Sequence, residues 1–307
     1  MSSPTQYEPE QTPVYIIART LLPSSTTDGS SSTSTSLILR TFSPLDAPTF
    51  RAYRADRPTA RFQGWDPAQY AADATGARAA AKFCHQQHAM GAAVFRNTDY
   101  AALRGRWLQL ALDSDSPLPS STPGSATATG TGAGTGTGTG LLGDVAVLVA
   151  PDGRQASVGI TLAPSARGKG YARTALRMAL DWLFAAVPVT PSSAGAQGSA
   201  GVFVPGVAVH RAHALVDARN ESSIRLFTAL AFRKEGVLVQ ASFYKGEWCD
   251  DVSFGVLRTE WLDMKYPPPP PASTADANAA PNDEPTQTAA EAQSGLPLAK
   301  PIKAEQI

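Results

Sequence analysis

The chain has 307 residues, with 26 basic and 26 acidic side chains, a formal net charge of zero and a pI near 6.9. That balance argues against nucleic acid or a membrane surface as a partner, because such proteins carry a basic excess. Two distant cysteines, Cys84 and Cys249, suggest neither a disulfide framework nor a metal site. No apolar run is long enough to span a membrane, and the polar Met1–Gln11 stretch lacks a secretory core, so a reducing cytoplasmic or nuclear setting is expected, the cytoplasm first.

In chain order, Val14–Leu21 and Leu37–Thr41 are β-rich and are expected to pair as a hairpin across a Ser/Thr run. Leu45–Arg57 reads as a helix stopped by Pro58. Asp66-Pro67 has the form of an N-cap and first-turn proline, opening a helix to about His88. Trp107–Leu112 and Leu142–Ala150 read as two strands joined by a Thr-Gly insertion. Ala156–Ala163 is a strand closed by Pro164, which cannot donate to a ladder. A glycine turn follows, then an amphipathic helix to about Phe184, with Ala172, Leu176, Ala179, Leu180 and Leu183 on one face. Val207–Val216 reads as a strand, Glu221–Ala231 as a helix, and Val237–Tyr244 with Asp251–Arg258 as a final strand pair.

Segments 1–13, 24–36, 113–140, 188–201 and 265–307 are rich in Ser, Thr, Gly, Pro or Ala and bury too little to offset chain entropy. They are expected to be disordered tails and insertions around one domain over 14–264, of roughly 200 residues without the insertions. Hairpins first, then strand-helix-strand-helix-strands, indicate an α/β (α+β) mixed sheet with a crossover in its middle.

The turn Arg167-Gly168-Lys169-Gly170-Tyr171-Ala172 is the strongest chemical feature. Its glycines permit positive φ and close approach to a ligand. The helix behind it offers free N–H groups and a positive dipole end, a phosphate-binding arrangement. The P-loop pattern fails, because Tyr171 follows Gly170. The dinucleotide pattern fails, because Arg173 stands at the third glycine. Arg167-x-x-Gly170-x-Ala172 resembles instead the acetyl-CoA pyrophosphate motif of the GNAT superfamily. Val216-Asp217-Ala218-Arg219-Asn220-Glu221-Ser222-Ser223, leading to Leu230-Ala231-Phe232, resembles its ribosomal-protein-alanine acetyltransferase (RimJ/RimL-like) branch, with Ala231 in place of the usual glycine. Arg61–Trp65, Gly143-Asp144-Val145 and Gly246-Glu247-Trp248 extend the likeness.

The resemblance implies a GNAT fold: a mostly antiparallel sheet flanked by helices, with a splayed strand pair forming the acetyl-CoA cleft. It implies that backbone groups of Ile160, Thr161 and Leu162 pair with the pantetheine arm. Arg167, Gly168, Lys169, Gly170, Tyr171 and Ala172 would hold the pyrophosphate, and Asn220 would contact the arm or cap its own helix. The implied reaction is direct acetyl transfer from acetyl-CoA to a primary amine, on a protein N-terminus or a small molecule. Ser223 is the candidate acid for the thiolate, and Asp144 and Asp217 are candidate bases. Trp65, Gln63 and Tyr244 are candidates for the acceptor side. No metal is expected, since Cys84, His85 and His88 lack a fourth donor, and His210 and His213 differ in strand parity. The chain is expected to act as a monomer or homodimer. The alternative is a catalytically silent acyl-CoA-binding module on the same fold.

Overall fold

The computed structural model describes residues 14–21, 36–96, 100–114, 140–185, 202–203 and 206–265. Among these, nine strands form one sheet: β1 (Tyr15–Leu21), β2 (Ser36–Thr41), β3 (Trp107–Ser114), β4 (Gly143–Val149), β5 (Gln155–Leu162), β6 (Val202–Phe203), β7 (Arg211–Asp217), β8 (Arg233–Tyr244) and β9 (Glu247–Leu257). The order is β6-β1-β2-β3-β4-β5-β7-β9-β8, antiparallel except for β6–β1 and β5–β7. The helices are α1 (Ala47–Ala55), α2 (Arg57–Ala60), α3 (Ala74–Arg96), α4 (Tyr171–Leu183), α5 (Glu221–Ala229) and α6 (Arg258–Lys265).

Strand periodicity sets the two faces. Val145, Val147, Ala156, Val158, Ala212, Ala214 and Val216 are buried on one face, with α4 packed against β4 and β5. Asp144, Ala146, Ser157, Gly159, His213 and Leu215 share the other face, and α1 lies over its Asp144 end. Further along that face Ala146, Ser157, Gly159 and His213 are only half-buried and Leu215 is exposed, so the floor there is open.

The hairpin of β1 and β2 and the β3–β4 pair form as expected. Several boundaries differ. Pro58 does not simply stop α1: it occupies the first turn of α2, capped by Asp56 Oδ2, which accepts from Thr59 N at 2.9 Å. Asp66-Pro67 opens only a 3₁₀ turn, Pro67–Tyr70. The long helix starts at Ala74, with Asp73 Oδ1 accepting from Gly76 N at 2.8 Å, and runs to Arg96. Ser36, Asp113 and Ser114, expected in insertions, are strand residues, and Lys265 ends α6. Asp113 is fixed there by Arg40, whose guanidinium bridges it at 2.7 Å to Asp46 at 2.8 Å. The remaining expected tails and insertions lie outside the described residues.

Candidate active site

β5 and β7 are parallel neighbours, but their pairing runs only from Gln155↔Arg211 to Ser157↔His213. Beyond that vertex β5 stays paired with β4 through Leu162, while β7 stays paired with β9 through Asp217. A gap therefore opens toward the carboxyl ends of the two strands, each of which feeds a helix, the position where ligands bind in open α/β sheets.

Alternation decides which backbone groups face this gap. Arg154 O accepts from β7-side N–H groups and Gln155 O accepts from Ala150 N on the β4 side. With no register shift along β5, Ile160 and Leu162 turn their N–H and C=O toward the gap, and Thr161 turns its own toward β4. Of the three residues expected to pair with a pantetheine arm, Thr161 is thus already committed to the sheet. Leu162 O accepts from the Arg167 guanidinium at 3.3 Å, leaving Ile160 with both groups toward the gap.

The turn after β5 passes through a 3₁₀ turn (Pro164–Ala166) to Gly168 (φ 73°) and Gly170 (φ 78°), which caps α4 with no side-chain hydrogen bond. A Cβ at either glycine would meet nothing within 4 Å. Among the described residues, the N–H groups of Gly168, Lys169, Gly170, Tyr171, Ala172 and Arg173 have no acceptor; the first bond into the helix is Thr174 N to Gly170 O, 3.2 Å. Free donors and a dipole end thus stand beside the exposed cations Lys169 and Arg173, an arrangement suited to a diphosphate. Arg167 is turned aside and ties Leu162 O to Thr59 of α2.

The helix after β7 begins differently. Asn220 Oδ1 accepts from Ser223 N at 3.2 Å, closing the first turn of α5. Ser223 is half-buried, and its hydroxyl has no partner among the described residues.

The two aspartates expected as bases are held in ion pairs. Asp144 is 1% exposed and accepts from Tyr53 Oη at 2.6 Å and from Arg54 at 2.9 and 3.0 Å. Burial and the adjacent carboxylate push the Tyr53 phenol well above its ordinary value. Arg54 is in turn stacked on Trp65 (3.8 Å to the ring centre), whose Nε1 donates to Arg54 O at 3.1 Å. Asp217 accepts from Arg219 at 2.7 and 2.9 Å and from Tyr244 Oη. Hydrogen bonds from Arg219 hold its carboxyl far below the usual carboxylate range. Both carboxylates thus have their oxygens engaged by an arginine and a tyrosine hydroxyl.

Trp65 and Tyr244 line one open cleft of about 1110 Å³, together with Arg57, Arg61, Lys245 and Glu247; Gln63 is not on its wall. Lys245 Nζ donates to Ala60 O and, at 3.1 Å, to Arg61 O. The short helix α2 is thus tethered at one point to the glycine turn and at another to the β8–β9 turn.

Sequence parity discounted His213, yet it sits at the vertex of the gap. Its Nε2 lies 2.6 Å from Ser157 Oγ, and its Nδ1 is buried with no partner. The pairing of residues 56 positions apart leaves no local mark in the sequence. Among the described residues no group of three or more metal-ligating side chains occurs, and no helix is long and apolar enough to cross a membrane.

The acetyltransferase (GNAT) domain family matches residues 36–233. The chain belongs to this family. Spermidine N(1)-acetyltransferase of Vibrio cholerae serotype O1 is 26% identical over 110 residues, 36% of this chain and 52% of that protein. The chain thus spans about half the length of the curated relative it matches. Among solved structures, an acetyltransferase (GNAT family) from Bacillus anthracis aligns at 14% identity with TM-score 0.47, covering 73% of this chain and 96% of the other. A spermidine N-acetyltransferase from Vibrio cholerae in complex with CoA and spermine aligns at 18% identity with TM-score 0.46, covering 74% and 98%.

Proposed function

We propose that this GNAT-family chain is an acetyl-CoA-dependent N-acetyltransferase that moves an acetyl group directly onto a primary amine. The observation that carries this reading is the uncapped N-terminus of α4. Six backbone donors open on unoccupied space beside a sheet gap that has a free edge at Ile160. In this reading the turn from Gly168 to Ala172 grips the pyrophosphate, with Lys169 and Arg173 adding charge. The pantetheine arm lies along Ile160 and Leu162, and the Ser223 hydroxyl, at the wide end of the gap, protonates the leaving thiolate through water. Asn220 acts through the cap that positions Ser223. A mass-shift screen for a gain of about 42 Da over N-terminal peptides, polyamines and aminoglycosides tests it. Acetyl-CoA binding without turnover on any acceptor would select the silent-module alternative.

The cleft's charge favours one acceptor class. Arg57 and Arg61 stand one helical turn apart on its wall, and neither forms an ion pair among the described residues. Its carboxylates are committed: Asp66 accepts from Ala68 N at 2.9 Å, and Glu247 pairs with Arg219 at 2.8 Å. An amine that also carries a carboxylate or phosphate fits this wall better than a polycationic polyamine does. Higher kcat/KM on acidic peptides than on spermidine is the expected result; the reverse order would refute this assignment. The RimJ/RimL-like branch agrees with a peptide acceptor and is supported by the Asn220–Phe232 segment. A homodimer is supported by Val237, Leu238, Val239 and Phe243, exposed along β8 at the sheet edge.

A further inference from the structure

The gap between β5 and β7 has two ends. Its wide end is the glycine turn and its closed end is the Ser157↔His213 pair. From Leu162 back to Ser157 is five residues of strand, about 17 Å, comparable to an extended pantetheine arm. An arm whose pyrophosphate sits on the turn therefore brings its thioester to the closed end. Ser157 and His213 share one face of the sheet with Asp217, which accepts from Tyr244 on the wall of the acceptor cleft. The floor between them is kept low by Gly159 and Ala146. Ser157 and His213 thus stand at the end of the arm, four residues of β7 (about 13 Å) along this face from Asp217, with Oγ and Nε2 2.6 Å apart.

We propose that His213, acting through the Ser157 hydroxyl, takes the proton that the acceptor amine loses during transfer. The proposal rests on the transferase reading above. The amine nitrogen attacks the thioester carbonyl carbon; the C–N bond forms, the C–S bond breaks, and the electron pair leaves on sulfur. The amine proton passes to Ser157 Oγ as the Ser157 proton moves to Nε2. The thiolate takes up one proton from water, so the reaction is proton-neutral once the imidazolium returns its own to solvent.

The groups facing the imidazole fit this role. Arg211, on its own strand, is paired with Glu235 of β8 at 2.7 Å, and β9 presents Gly255, which has no side chain. Burial first, and then the Arg211 charge, hold the imidazole below its ordinary 6.5, so it is neutral at pH 7.

The test is kcat and kcat/KM against pH for wild type, His213→Gln and Ser157→Ala, with acetyl-CoA affinity measured by calorimetry. His213→Gln is expected to lower kcat by about 10²- to 10⁴-fold, to abolish the acid limb of the profile, and to leave acetyl-CoA affinity unchanged. Ser157→Ala is expected to lower kcat while retaining a limb, because the imidazole survives. A His213→Gln enzyme with wild-type kcat and an intact limb overturns the proposal. So does a loss of melting temperature in both variants with no change in profile, which would mark a packing pair. A wild-type chain that binds acetyl-CoA yet acetylates no amine sinks the transfer reading, and this proposal with it.

Discussion

Two helices begin at the same end of the sheet, after parallel neighbours β5 and β7, and they solve the same problem in opposite ways. Every α-helix opens with N–H groups that have no partner within the helix. At α5 the chain satisfies them itself, through the Asn220 side chain, and spends the position on rigidity. At α4 it places Gly170, which has no side chain to offer, and leaves the donors facing open space. The difference is that α4 withholds the cap that α5 supplies, which leaves its first donors available to an anion. The charge of Arg167, the first residue of the recognised motif, is turned back onto Leu162 O and Thr59.

The contrast can be broken most severely at the open end. Gly170→Glu puts a like charge against the pyrophosphate, at a cost of several kcal/mol, so acetyl-CoA affinity is expected to fall by more than about 100-fold. The positive φ of Gly170 costs a glutamate about 1–2 kcal/mol, but the fold should persist, because its Cβ meets nothing within 4 Å. Calorimetry with circular dichroism checks both halves. Next in size is the ion pair beside the site. Asp144→Ala leaves Arg54 buried without its partner and is expected to cost about 3–5 kcal/mol in chemical denaturation.

Asn220→Ala sharpens the comparison at the capped helix. It should cost about 1 kcal/mol of stability and lower kcat through Ser223, with acetyl-CoA affinity changed far less than by Gly170→Glu. Equal losses of affinity would show that both helix ends hold the cofactor. At the far end of α5, Ala231 stands at φ 60° in a Schellman turn, where Phe232 N donates to Phe227 O at 3.1 Å and the two rings pack at 5.1 Å. Ala231→Gly is expected to stabilise by about 1 kcal/mol, read as a small rise in melting temperature.

A pH effect follows from Asp217. Its folded-state pKa lies below the unfolded value, so its contribution is present above about pH 4 and is lost as pH falls further. Asp217→Asn should flatten the acid side of the stability profile.

Local chemistry made part of this structure readable in the sequence. Alternation announced the strands, and two glycines before an amphipathic helix announced the turn that opens α4. Pro164 marked where β5 had to end. Long-range pairing was not announced. Nothing near Asp144 reveals that Tyr53 and Arg54, some 90 residues away, consume its lone pairs. Asp66-Pro67 carries a sound start signal, but the chain uses it for one 3₁₀ turn and begins α3 at Ala74. The two-residue β6 has too little sequence to show a period, and its place beside β1 is set by topology.

The most direct test of the central claim is an amide chemical-shift titration with acetyl-CoA. The largest perturbations should fall on Gly168, Lys169, Gly170, Tyr171, Ala172 and Arg173, with Ile160 and Leu162 next and the first turn of α5 moving less. Saturable binding that leaves the amides of 168–173 unmoved would contradict the account.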